Sequence, residues 1–133
     1  MPASIEGRSR ELLEQPNFCH ISTVRPDGAP HAAIVWVDLE DGNAVVNSAE
    51  GRARPRNLER DGRVLLTVAN RENQYEYTQI RGHLREASRE DGDSHADKLT
   101  KKYLDKDKYP FGQPGEVRVK FVIEPDEVKH FGG

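Results

Sequence analysis

At 133 residues the chain has the length of one domain, expected to span residues 1–133, and buries about two thirds of its unfolded surface without disulfide or metal staples. A net charge of −3 with a pI near 6.0 gives no overall attraction to nucleic acid, and the single cysteine, Cys19, has no partner for an internal disulfide. The longest unbroken apolar run, Ala32 to Val37, is far short of the roughly twenty residues of a membrane-spanning helix, and no basic segment with an apolar core opens the chain, so a cytoplasmic location is expected.

Taken in order, Ile5 to Leu13 sets Ile5, Leu12 and Leu13 among charges and predicts a short amphipathic helix stopped near Pro16. Phe18 to Val24 alternates as a strand, and Arg25-Pro26-Asp27-Gly28 is a hairpin turn because Asp-Gly tolerates left-handed backbone. A second strand covers His31 to Leu39, Glu40-Asp41-Gly42-Asn43 turns the chain again, and Ala44 to Ser48 is the third strand.

Gly51 to Arg63 then packs five arginines into thirteen residues and reads as a short helix between strands. The first turn of such a helix offers unpaired N–H groups beside guanidinium forks, the combination that binds phosphate. On residue types alone, the same segment also reads as a solvated basic face. Arg63 to Ala69 and Tyr75 to Arg85 follow as strands, the latter with Tyr75, Tyr77, Gln79 and Arg81 on one face and Glu76, Thr78 and Ile80 on the other. Asp91 to Leu104 forms a helix with Ala96, Leu99, Tyr103 and Leu104 in one stripe, and Glu116 to Ile123 alternates as a sixth strand ended by Pro125. The expected fold class is mainly β, a six-stranded antiparallel barrel with a few short helices.

Catalytic signatures are scarce. There is no Gly-x-Gly-x-x-Gly, Walker loop or Gly-x-Ser-x-Gly elbow, so dinucleotide-binding, kinase-like and serine-hydrolase chemistry is not expected. The histidines His20, His31, His83, His95 and His130 fall at no metal-ligand spacing, so no metal site is expected.

The run Ser22-Thr23-Val24-Arg25-Pro26-Asp27-Gly28-Ala29-Pro30-His31, then Ile34-Val35-Trp36-Val37, then Arg54-Pro55-Arg56-Asn57-Leu58-Glu59-Arg60-Asp61-Gly62-Arg63-Val64, resembles the pyridoxamine 5′-phosphate oxidase-like superfamily. With Lys108-Tyr109-Pro110-Phe111 and Pro114-Gly115-Glu116-Val117-Arg118-Val119, the chain is similar to its actinobacterial flavin/deazaflavin oxidoreductases, which use coenzyme F-420. The resemblance implies a split β-barrel of the FMN-binding type, assembled as a homodimer with a cofactor in each interface cleft and a small-molecule substrate. It assigns Asn47, Ser48, Arg52, Arg54 and Asn57 to the cofactor phosphate and Val35 and Trp36 to the ring. It places Tyr75, Tyr77 and Arg81 across the dimer, with each aromatic also readable as packing.

Arg54 departs from the lysine usual at its position, and Gly62 from a proline. Four helix arginines, Arg52, Arg54, Arg56 and Arg60, with Lys101 and Lys102, supply more cation than one FMN phosphate needs, favouring F-420 with its polyglutamate tail over the alternative, FMN. The ending Lys129-His130-Phe131-Gly132-Gly133 lacks the substrate-gripping segment of true pyridoxamine phosphate oxidases, so vitamin B6 oxidation is not expected. The implied reaction is hydride transfer to a conjugated or carbonyl acceptor, with no catalytic side chain assigned. The alternative is a barrel that binds flavin, deazaflavin or, less readily, haem without turnover.

Overall fold

The computed structural model describes residues 3–132. Its elements are α1 (Gly7–Glu14), β1 (Cys19–Val24), β2 (Pro30–Val35), β3 (Asp38–Glu40), β4 (Asn43–Ala49), α2 (Ala53–Arg60), β5 (Arg63–Asn70), β6 (Asn73–Ser88), α3 (Gly92–Leu104) and β7 (Arg118–Phe131). The strands form one antiparallel sheet in the order β2-β1-β5-β6-β7-β4-β3. The two ends of that order, β2 and β3, are consecutive in the chain, so the sheet curls into a barrel.

Seven strands therefore replace the six expected. The predicted strand from His31 to Leu39 is broken at Trp36 and Val37, and the cause is α3. The Val37 N–H donates to the Tyr103 hydroxyl at 3.0 Å, and the Val37 carbonyl accepts from Lys102 Nζ at 2.7 Å. The Tyr103 hydroxyl spends its one proton on the Asn17 carbonyl, 2.5 Å away, while Lys102 Nζ also reaches the Leu13 carbonyl. With both Val37 backbone groups held by side chains, the ladder to β1 stops at Val35 and the ladder to β4 starts at Asp38.

The last strand is also longer than expected. Pro125 does not end it but sits at a bulge, where proline is tolerated: Arg81 lies opposite Glu127 and Gly82 opposite Pro125, which leaves Asp126 as the extra residue. The strands approach so closely that a Cβ on Gly82 would lie 2.4 Å from the Glu124 carbonyl oxygen. On the predicted faces of β6, Glu76, Thr78 and Ile80 are buried and Tyr75 and Arg81 exposed, as the alternation requires.

The barrel interior is filled by Ile21, Val46, Leu66, Ile80, Phe121 and Ile123, closed by Leu12 and Leu13 of α1 and Leu58 of α2. Beside α1 the buried Glu76 carboxylate takes a bidentate pair from Arg8 (2.6 Å and 2.6 Å), a bond from Asn70 (3.0 Å) and a bond to the His130 ring (2.9 Å). That cluster ties the first helix to β6 and β7. No helix among the described residues is long and apolar enough to cross a membrane.

Two outcomes follow from these locks. Tyr103→Phe strands the Val37 N–H and the Asn17 carbonyl, and is expected to lower unfolding stability by about 1–3 kcal/mol; an unshifted denaturant midpoint would show that the hydroxyl does not hold the bend. The Arg8 guanidinium, with Asn70 and His130, holds the Glu76 carboxyl far below its ordinary value of 4.5. A carboxyl lowered in the folded state stabilises above its unfolded value, and that contribution is lost as pH falls below it. The melting temperature is therefore expected to drop on acidification below about pH 4.5, and Glu76→Gln to flatten that part of the curve in thermal scans.

Candidate functional site

The strand break opens a cleft of about 210 Å³ between the end of β2, the start of α2, and α3. Its aromatic wall is built on Tyr103. Trp36 stacks on the Tyr103 ring (5.2 Å, 13°), Tyr109 meets Trp36 edge-on (6.3 Å, 86°), and Phe111 continues the series against Tyr109 (5.7 Å, 82°). The Trp36–Tyr103 pair is a preformed planar stack, with Tyr109 set edge-on to it. Of the lining residues, Phe111 is 57% exposed and Ile34 64%.

The opposite wall is cationic. Helix α2 starts at Ala53 with no side-chain cap, and Pro55 in its first turn has no N–H, so the Ala53 and Arg54 amides form its free end. Arg54 turns inward: Nη2 donates to Ser48 Oγ at 2.7 Å, and Nε is buried with no partner. Burial above all, then the nearby charges of Arg52 and Arg118, pulls the Arg54 guanidinium from 12.5 down to about 10. Neither Arg52 nor Arg54 meets a carboxylate among the described residues, and the cleft lining holds none. A buried donor without a partner is costly, and an incoming oxyanion removes that cost.

The third cation is Arg118, at the head of β7. Its guanidinium packs over the Tyr109 ring at 4.6 Å, pairs with Glu116 through Nη1, and donates from Nε to Asn47 Oδ1 at 2.9 Å.

Of the residues named from sequence, Val35, Trp36, Asn47, Arg52 and Arg54 line this one cleft, with Ser48 directly behind Arg54. Asn57 lies apart, buried under α2, where its amide donates to Thr23 Oγ1 at 3.0 Å and ties the helix to β1. Tyr75, Tyr77 and Arg81 do not enter the cleft of this chain. Tyr75 is 89% exposed, Tyr77 stacks on Phe131 at 4.9 Å, and Arg81 faces Glu127 at 3.8 Å.

The wider cationic set shrinks. Lys102 is turned inward to the Val37 and Leu13 carbonyls, Lys101 pairs with Asp105, Arg63 pairs with Asp61, and Arg60 reaches the Val24 carbonyl. Sequence reasoning missed Arg118 and did not place Tyr109 and Phe111, although the aromatic run Tyr109-Pro110-Phe111 was visible. It also missed a cross-strand group away from the cleft, where His83 Nδ1 lies 3.0 Å from Asp126 and Nε2 lies 3.2 Å from Glu124. Strand pairing makes that cluster, so no local spacing reveals it. Both ring nitrogens already face a carboxylate, and these contacts raise the affinity of His83 for its proton.

The family model for pyridoxamine 5′-phosphate oxidase matches residues 5–132. No curated protein matches the chain. Among solved structures, an F-420 reductase is 27% identical, with a TM-score of 0.79 over 90% of this chain and 94% of that one. The conserved hypothetical protein Rv2991 from Mycobacterium tuberculosis is 16% identical (TM-score 0.73, covering 98% of this chain and 86% of that one). General Stress Protein 26 from Bacillus anthracis is 18% identical (TM-score 0.66, covering 91% and 88%). The last two likenesses are of fold alone. Matched over nearly its whole length, the chain belongs to the pyridoxamine 5′-phosphate oxidase family and has its split β-barrel fold.

Proposed function

We propose that the protein is an oxidoreductase that holds coenzyme F-420 in the cleft and passes hydride to a small conjugated or carbonyl-containing acceptor. The observation that carries this reading is Arg54: a largely buried guanidinium with an orphaned Nε, beside Arg52 and the free amides of α2, in a cleft whose lining holds no carboxylate among the described residues. This donor set fits a phosphate group. The likeness to an F-420 reductase over nearly the full length of both chains supports the deazaflavin.

When bound, the cofactor supplies the two-electron hydride chemistry. The residues of the chain bind, orient and dry the site. Arg54, held by Ser48, and Arg52 would bind the phosphate end, Val35 and the Trp36–Tyr103 stack would seat the planar ring, and Tyr109 and Phe111 would help exclude water. No nucleophile or metal is needed. FMN is the second reading, favoured by one finding: Lys101 and Lys102, counted toward the longer anion, are engaged elsewhere.

The same reading includes a homodimer. A cleft of about 210 Å³ is smaller than the ~300–1,000 Å³ of a small-molecule pocket, so another surface is needed to complete it. The outward rows Ala32–Ser22–Leu65–Arg81 and Ile34–His20–Thr67–Gln79 across β2, β1, β5 and β6 carry one fixed charge, Arg81, in a chain that is 32% charged. Such a face suits self-association. Tyr75, Tyr77 and Arg81 stand on this side of β6, where they would serve a second copy's cleft. The whole chain acts as one domain in this reading, in the cytoplasm.

Arg54→Ala is expected to weaken binding of F-420, or of FMN if that is the ligand, by ~1.5–3 kcal/mol, on the order of tenfold to a hundredfold in Kd. Unchanged affinity for both ligands would remove the phosphate assignment. Tighter binding of F-420 than FMN by the wild type, with acceptor-dependent loss of the reduced deazaflavin absorbance, would support the enzyme. Binding with no turnover over a broad acceptor panel would leave a binding module. Sedimentation should return the mass of two chains, and a monomer would rule out the shared cleft.

A further inference from the structure

Asn47 was assigned to the cofactor phosphate from resemblance, but its bonds in the structure leave it nothing to donate. Its Oδ1 accepts from Arg118 Nε at 2.9 Å, and its Nδ2 lies 2.9 Å from the Gly92 carbonyl and 3.1 Å from His95 Nδ1. Two of these partners work in one direction only, since a guanidinium only donates and a carbonyl only accepts. Together they fix the amide orientation. His95 Nδ1 must then accept the second Nδ2 hydrogen, so the ring is neutral with its proton on Nε2, an atom that is buried and has no partner. Burial keeps the ring neutral, pulling it from 6.5 down to about 4.

The other end of this chain of bonds is Arg118. With Nε on Asn47 and Nη1 on Glu116, and its plane against Tyr109, the guanidinium has one orientation, and Nη2 is left without a protein partner among the described residues. The backbone holding the clamp is close-packed as well. A Cβ on Gly92 would fall 1.9 Å from the Arg118 carbonyl oxygen, so the start of α3 rests directly on β7.

We propose that Arg118 is an anion-binding residue of the cleft, presenting its free N–H edge to a phosphate or pyrophosphate-like oxyanion alongside Arg54, and that Asn47, braced by His95, is the positioning residue that aims it. The cofactor named above enters only as the source of that oxyanion, so the proposal rests on the preceding reading for the identity of the ligand and not for its charge.

Trp36, the one tryptophan of the chain, lines the cleft and reports on its occupancy by fluorescence. The probe is inorganic pyrophosphate, titrated into the full chain. Arg118→Met is expected to weaken its binding tenfold or more. Asn47→Leu should lose a similar factor, and the double variant should be no weaker than Arg118→Met alone, because the two changes remove one interaction. Additive losses would make Asn47 a ligand in its own right and overturn the positioning role. Wild-type affinity in Arg118→Met, or no response in the wild-type protein, would overturn the anion site.

If Asn47→Leu does not fold, the pair His95→Asn and His95→Leu makes the same test. The first keeps an acceptor near the Nδ1 position and should retain affinity, the second should lose it, and equal affinities would refute the brace. Pyrophosphate binding that depends on Arg118, in a protein that binds neither F-420 nor FMN, would refute the cofactor reading and leave this one standing. Either cofactor bound with an affinity indifferent to Arg118 would do the reverse.

Discussion

The architecture turns on one residue's backbone. Val37 lies where a continuous strand would carry on past β1, and α3 takes both of its polar groups, the N–H through Tyr103 and the carbonyl through Lys102. A ladder exchanged for side-chain bonds loses no hydrogen bonding but changes direction. The chain leaves the β1 ladder at Val35 and joins β4 at Asp38, which converts an open sheet into a barrel. The same hydroxyl grips the Asn17 carbonyl, and the same ring carries Trp36. One helix residue therefore closes the barrel, fixes the segment before β1, and seats the aromatic floor of the cleft.

That constraint explains what was legible in the sequence. Alternation in β1, β5 and β6 is a local property, and the buried faces lie where period two puts them, whereas β4 is buried along its whole length. The Asp27-Gly28 hairpin is equally local. The break at Val37 is not. Ala32 to Val37 is an unbroken apolar run that reads as one strand, and the groups that interrupt it lie 65 and 66 residues further on. The bulge at Pro125 was hidden for a related reason, since a proline that ends a strand and one that sits at a bulge look alike until the opposite strand is known.

The site divides along the same line. Arg52 and Arg54 were readable because they sit at the start of a helix between strands, and position on an element is a sequence property. Lys102 was counted among the cations for the cofactor, yet it extends its stem inward and gives its ammonium to two main-chain carbonyls. Arg118 lies in the Pro114–Val119 run that carries the resemblance, but as one polar member of an alternating strand it was given no role. Its importance comes from β4, α3 and the Tyr109 loop meeting around it. Composition counts cations, and only the fold decides which of them are already paired.

A chain of net charge −3 thus gathers Arg52, Arg54 and Arg118 around one small cleft, and among the described residues only Arg118 of the three pairs with a carboxylate, Glu116. Without a ligand this arrangement is unfavourable. Burial above all, then the like charges of Arg52 and Arg118, lowers the proton affinity of Arg54, whose Nε is buried without a partner, and the His95 Nε2–H behind Asn47 is in the same position. An oxyanion entering the cleft meets donors already stripped of water and held in place, so little of its binding free energy is spent on ordering the protein. In the function proposed, the cationic wall and the aromatic wall are two parts of one arrangement: the first would meet the charged end of the cofactor, and the second would seat its flat end.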